Sequence, residues 1–180
     1  MAKHYNVLFL CTGNSARSIM AEALLNAKGK PTFTAFSAGS HPSGKVRPEA
    51  LRELQIAQIP VEGLRSKSWD EFARPGAPEL DFVITVCDNA ANEVCPIFHV
   101  RSNVALAPTG ADEGGVMPIK AHWGIPDPAA VQGSDQEIGR AFRNAVALLE
   151  RRISLFLGLP LESLDKLALK KQLDQIGREP

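Results

Sequence analysis

Asn6-Val7-Leu8-Phe9-Leu10-Cys11-Thr12-Gly13-Asn14-Ser15-Ala16-Arg17-Ser18 joins an unbroken apolar run to a short polar turn and then to a stretch of helix formers. A strand with one wet face alternates, and this run does not. Residues 6 to 10 therefore suit a central strand of a parallel sheet covered on both sides. Residues 11 to 17 make the turn. Ile19, Met20, Leu24 and Leu25 then recur at helical spacing before Gly29. Strand, loop and helix in this order predict an α/β fold.

Outward from this unit the same signals repeat. Thr32 to Ser37 is rich in β-branched and aromatic residues and stops at Gly39, a second strand. Pro48 suits the first turn of a helix reaching about Gln55, and Ser68 caps a short helix through Phe72. Residues 80 to 86 form another apolar strand, which brings Cys87 to its carboxyl end as the first strand brings Cys11. Residues 96 to 100 are the expected fourth strand, and residues 107 to 124, rich in Gly and Pro, read as loop. Apolar residues at 138, 142, 145, 149, 153 and 156 mark the longest helix, closed by Gly158. Pro160 starts a last amphipathic helix ending at Gly177, which serves either to pack on the chain's own core or to meet a partner.

A chain of 180 residues fits one domain of roughly 150 residues with some extra length. With 44% apolar and 22% charged residues it is globular rather than fibrous or disordered. Twenty basic residues cancel twenty acidic ones, which removes the broad field that nucleic acids or anionic membranes require, so any anion site must be local. No apolar run approaches the roughly 18 residues of a membrane helix, no signal peptide is evident, and a cytoplasmic protein is expected. Three cysteines do not make a secreted disulfide framework. No metal-ligand spacing accompanies them, so no metal is expected, and His4, His41, His99 and His122 read as structural.

The turn itself carries chemistry. A short loop over a helix start points its backbone N–H groups inward, and with the positive end of the helix they cradle a tetrahedral oxyanion. Thr12, Gly13, Asn14, Ser15, Ala16 and Arg17 would form that cradle. Gly13 and Asn14 tolerate positive φ, and Arg17 can clamp two oxygens at once. Cys11 would lie beneath the anion with its pKa lowered well below ~8.5 to give a thiolate, and Ser18 can donate to its sulfur.

Val7 to Ser18, with Ser37-Ala38-Gly39 and, far downstream, Asp127-Pro128, resembles the low-molecular-weight protein tyrosine phosphatases and the arsenate reductases built on the same fold. The likeness covers about residues 5 to 157. It implies a four-stranded parallel sheet flanked by helices on both faces in a catalytic domain of residues 1 to 157, with residues 158 to 180 an extra helical extension. It also implies Cys11 as nucleophile, residues 12 to 17 as the oxyanion loop and Asp127 as general acid, and no cofactor is expected. In some relatives a monovalent cation sits beside the loop, and Asn14 and Glu22 would hold one here.

Asp127, held between Pro126 and Pro128, suits the donor that a departing oxygen needs. The segment from Cys87 to Cys95 resembles the redox segment of the thioredoxin-coupled arsenate reductases. That implies arsenate as substrate, with phosphate or sulfate as mimics. Cys11 would attack arsenic, Cys87 would attack the Cys11 sulfur, and Cys95 would capture Cys87. Electrons would then come from thioredoxin, or alternatively from glutathione and glutaredoxin. A helix over residues 88 to 95 would hold the two Cα atoms about 12 Å apart, whereas a disulfide needs less than ~7 Å, so the segment must unwind to oxidise. Two rivals remain, a phosphatase and a phosphocarrier module. Against the first, Ala129-Ala130-Val131-Gln132 follows Asp-Pro where phosphotyrosine enzymes of this fold carry tyrosines, and Tyr5 is the chain's only tyrosine.

Overall fold

The structure is a computed structural model that describes residues 2–94, 96, 98 and 117–180. The opening stretch folds as β1 (Tyr5–Cys11), a loop, and α1 (Arg17–Lys28). β2 (Phe33–Gly39), α2 (Pro48–Ile56), a 3-10 helix (Trp69–Phe72), β3 (Phe82–Thr85) and α3 (Asp88–Asn92) follow. After the residues outside the description come β4 (Ile119–His122), a 3-10 turn (Pro128–Ala130), α4 (Asp135–Leu157) and α5 (Lys166–Ile176).

The four strands form one parallel sheet in the order β2-β1-β3-β4. Val7, Leu8, Phe9 and Leu10 have no exposed surface, because β1 lies between two strands and both its faces are covered. The missing alternation in the sequence is this double burial. Val7, Phe9 and Cys11 face the larger layer, where Met20, Leu24, Leu54, Phe142, Leu149 and Phe156 pack. Leu8 and Leu10 face a smaller layer of Phe72, Leu80 and Phe98, which the 3-10 helix Trp69–Phe72 helps to cover. β1 leads to β2 on one side and has β3 on the other, so the carboxyl end of β1 is where the chain's winding reverses, the usual place for a ligand in such sheets.

Two expectations are corrected. Residues 119 to 122, expected in a loop, are the edge strand β4, recruited by the free edge of β3. The last helix starts at Lys166 rather than near Pro160, because Asp165 is its cap, accepting from Ala168 N at 2.8 Å. The proposed strand at residues 96 to 100 falls mostly outside the described residues, as do His99 and most of the 107 to 118 loop. α5 packs on the chain's own core through Leu169, Leu173 and Ile176. No helix among the described residues is long and apolar enough to cross a membrane.

Candidate active site

β1 ends at Cys11, and the chain turns over the sulfur before α1 begins at Arg17. Asn14 takes the left-handed φ of 44°, and its N–H donates to Cys11 Sγ at 3.3 Å. Gly13 does not adopt positive φ, so of the two residues expected to supply it only Asn14 does.

The outward side of the loop is tied down by a segment that sequence reading missed. The carbonyls of Cys11, Thr12, Gly13 and Ser15 accept from the N–H groups of Ser40, His41, Ser43 and Arg47 at 2.8–3.3 Å. With those carbonyls held outward, the Asn14 N–H is turned toward Cys11. Gly39, at the tip of β2, makes this approach feasible: a Cβ there would collide with the Thr12 carbonyl and stand 3.0 Å from Asn14 N. Behind the loop, Asn14 Nδ2 donates to Ser18 Oγ at 2.8 Å and Ser37 Oγ at 3.0 Å, all three residues fully buried. Ser18 in turn reaches Cys11.

Arg17 is folded over the site, not out in solvent. It donates to Ile125 O at 3.0 Å and lies 3.4 Å from the Asp127 carboxylate. Asp127 caps the turn Pro128–Ala130 by accepting from Ala129 N at 3.0 Å, and its side chain remains 42% exposed. The loop that carries it starts firmly, because Trp123 N and Ile125 N continue the ladder onto Thr85 O and Val86 O. Arg17, Cys87, Asp88, Gly124, Ile125 and Asp127 line a cavity of about 410 Å³.

Cys87 sits one residue past Val86 as the cap of α3, its sulfur accepting from Ala90 N at 3.4 Å, with Thr12 Oγ1 3.6 Å away. It lies within hydrogen-bonding reach of Cys11. The two thiols therefore titrate as a pair. The Cys11 thiol donates to Cys87, and with the Ala90 N–H and Thr12 this lowers Cys87 to about 5 against the pull of burial. Cys11, holding the shared proton and deeply buried, is pushed well above the ordinary thiol range, although Ser18 and the Asn14 N–H oppose the rise. Cys87 and burial thus raise the Cys11 thiol, where a lowered one was expected. Cys95 lies outside the described residues.

Among the histidines, His4 bonds Pro31 O and Thr34, and His41 bonds Ser40. His122 bridges Thr85 and Asp88 at 2.8 and 2.9 Å, tying the end of β4 to the start of α3.

The chain matches the family model for low molecular weight phosphotyrosine protein phosphatase over residues 6–173. It is 31% identical to an arsenate reductase of Halalkalibacterium halodurans over 150 residues, 83% of this chain and 93% of that protein. Its fold is similar to the crystal structure of an arsenate reductase from Archaeoglobus fulgidus, with a TM-score of 0.58 and 27% identity, covering 85% of this chain and 99% of the other. It is also similar to a low molecular weight protein tyrosine phosphatase from T. tengcongensis, with a TM-score of 0.57 and 25% identity, covering 89% and 99%.

Proposed function

Because the chain belongs to the low molecular weight phosphotyrosine protein phosphatase family, we propose that it is the reductase variant of that scaffold, converting arsenate to arsenite with its own thiols. The observation that carries this reading is the second thiol: Cys87, free and buried beside the loop, lies within hydrogen-bonding reach of Cys11, a feature that hydrolysis does not need. The absence of an aromatic side chain from the described lining of the cavity also favours a small inorganic oxyanion over an aryl ester.

Arsenate enters the cradle of residues 12 to 16, and Arg17 turns from Asp127 to two of its oxygens. Cys87 takes the Cys11 proton as the base nearest to it. The Cys11 thiolate attacks arsenic, and Asp127, having taken a proton from solvent after Arg17 leaves it, passes that proton to the oxygen that leaves as water. Cys87, having passed its proton to solvent, attacks the Cys11 sulfur. The Cys11–Cys87 bond forms, the sulfur–arsenic pair goes to arsenic, and As(V) leaves as arsenite while two thiols become one disulfide. Cys95 then attacks Cys87, freeing Cys11, and an external dithiol reduces the Cys87–Cys95 bond. α3 is only five residues long, which favours the unwinding this exchange requires.

The test is arsenite formation from arsenate by purified protein supplied with thioredoxin and its reductase, or with glutathione and glutaredoxin, beside hydrolysis of a chromogenic aryl phosphate. Turnover with one donor system and stalling of Cys87→Ser after one cycle or less supports the reading. Undiminished ester hydrolysis by Cys87→Ser, with no arsenite from the wild type, overturns it in favour of a phosphatase.

A further inference from the structure

His122, the last residue of β4, brackets Cys87 along the chain. Its Nδ1 lies 2.8 Å from Oγ1 of Thr85, which ends β3, and its Nε2 lies 2.9 Å from Oδ1 of Asp88, which begins α3. Either protonation state of the ring closes this bridge. A neutral ring donates from Nε2 to the carboxylate and accepts from the Thr85 hydroxyl, while a charged ring donates from both nitrogens and leaves the Thr85 proton for Ala121 O at 3.4 Å. Gly124 leaves room for the pair: a Cβ there would stand 3.0 Å from both Asp88 Oδ1 and His122 Nε2. The start of the acid loop thus passes directly over the bridge.

α3 needs such an anchor. It has five residues, of which Ala90 is buried, and Asn92 Nδ2 bonds the Asp88 carbonyl inside the helix at 3.0 Å. A helix this short does not persist through its own backbone bonds. Its first turn nonetheless sets the second thiol, because the Ala90 N–H donates to Cys87 Sγ at 3.4 Å while that sulfur faces Thr12 Oγ1 and Cys11. At the far end of α3, Thr12 Oγ1 donates to Glu93 at 3.3 Å. The His122 bridge is the tie at the end that carries Cys87.

We propose that His122 is a positioning residue for Cys87: by bonding Thr85 before it and Asp88 after it, the ring keeps the first turn of α3 wound and the Cys87 sulfur facing Cys11. This rests on the reading of Cys87 as the thiol that attacks Cys11. The experiment is a double-mutant cycle on His122→Phe and Asp88→Ala. It reads the rate of Cys87 alkylation by iodoacetamide at pH 5 divided by that at pH 8, with peptide mapping to identify the sulfur. The ratio cancels changes in access. Once the turn loosens, the Ala90 N–H and Cys11 no longer support the thiolate, and the ratio should fall about fivefold in each single variant, as a rise of about one pH unit from about 5 requires. Loss of the Asp88 charge alone would favour the thiolate, so the fall expected of Asp88→Ala runs against the direct electrostatic effect. The double variant should fall no further than either single one. His122→Gln, which keeps a donor for Asp88, should stay within about twofold of the wild type. An unchanged ratio in either single variant overturns the proposal, as do falls that multiply in the double variant or a full fall in His122→Gln. The Asp88 side chain is 88% exposed, so Asp88→Ala keeps the test open if His122→Phe does not fold. In a Cys95→Ser background, which stops at the Cys11–Cys87 bond, arsenate should form that bond about tenfold more slowly when His122 is Phe, and an unslowed bond also overturns the proposal. If the wild type reduces no arsenate, the reductase reading fails instead, and the alkylation cycle alone decides the role of His122.

Discussion

Asp127 Oδ2 lies 3.4 Å from Nη2 of Arg17, so the residue that would grip the oxyanion is held by the residue that would protonate its leaving oxygen. An incoming anion must take Arg17 from Asp127. That exchange parts the carboxylate from its ion pair at the site where the substrate sits.

Asp127→Asn separates the two duties. The amide keeps the shape and the Ala129 contact but has no proton to give. The rate of arsenate reduction should fall by about 10²-fold or more. Phosphate affinity should hold or tighten, because Arg17 no longer has a carboxylate partner. A matched fall in affinity and rate, read by titration and steady-state kinetics, would show that Asp127 binds rather than protonates.

Cys87, lowered to about 5, should react with iodoacetamide at a nearly constant rate from pH 8 down to about pH 6, where an ordinary thiol near ~8.5 slows tenfold per unit. Cys11→Ala removes the donor that lies first among the causes of that shift, so the Cys87 titration should move up toward the ordinary range. The stability sign follows. The lowered Cys87 adds stability that is lost as pH falls through about 5, and the raised Cys11 takes stability away as pH climbs above ~8.5, so the pair stabilises most between the two. Peptide mapping of the alkylated protein identifies the sulfur, and dominant labelling of Cys11 at pH 6 contradicts the assignment.

The unit from β1 to α1 was legible because all its signals are local: an unbroken apolar run, a turn and a helix start lie within one stretch. β4 was not. Ile119-Lys120-Ala121-His122 is four residues long with polar side chains at two of them, and it is a strand because β3 offers it an edge. Pro160 misled for a related reason: it begins a turn closed by Ser163 N at 3.0 Å, and the helix waits for the Asp165 cap. At the site, the gathering of Cys11, Arg17 and Asp127 around one cleft was expected from residue type, order and the family resemblance. The clamp from Ser40 to Arg47 and the lowering of the Cys87 thiol beside Cys11 could not be expected, since each depends on how closely distant segments approach.

Gly39→Ala tests that closeness. The added methyl would meet the Thr12 carbonyl and crowd Asn14, both backbone-tethered, so the loop must shift. Overpacking of this kind costs about 3 kcal/mol, or roughly 6–12 °C in melting temperature for a chain of this size. Phosphate affinity should fall with it. A variant that melts and binds like the wild type would mean that β2 and the loop are not in such tight register.

Arg152 provides a test of why the last helix is there. It is buried, donates to Gly124 O at 3.0 Å, and also donates to Glu179 O at 2.9 and 3.3 Å, so one guanidinium joins the acid loop to the end of the chain. Trp123 Nε1 adds a bond to Leu173 O at 3.0 Å, and a Cβ at Gly177 would collide with the His122 carbonyl. The start of the acid loop is thus held from behind by α5, while Arg17 holds its next residue from the front. Arg152→Met keeps the side chain's length and apolar body but leaves both carbonyls without their donor, a loss of about 2–3 kcal/mol. The carbonyls lie behind the loop and not in the cradle, so the reduction rate should fall several-fold while phosphate affinity stays within about twofold. Binding that falls as far as the rate would place the effect in the cradle and deny α5 its hold on Asp127.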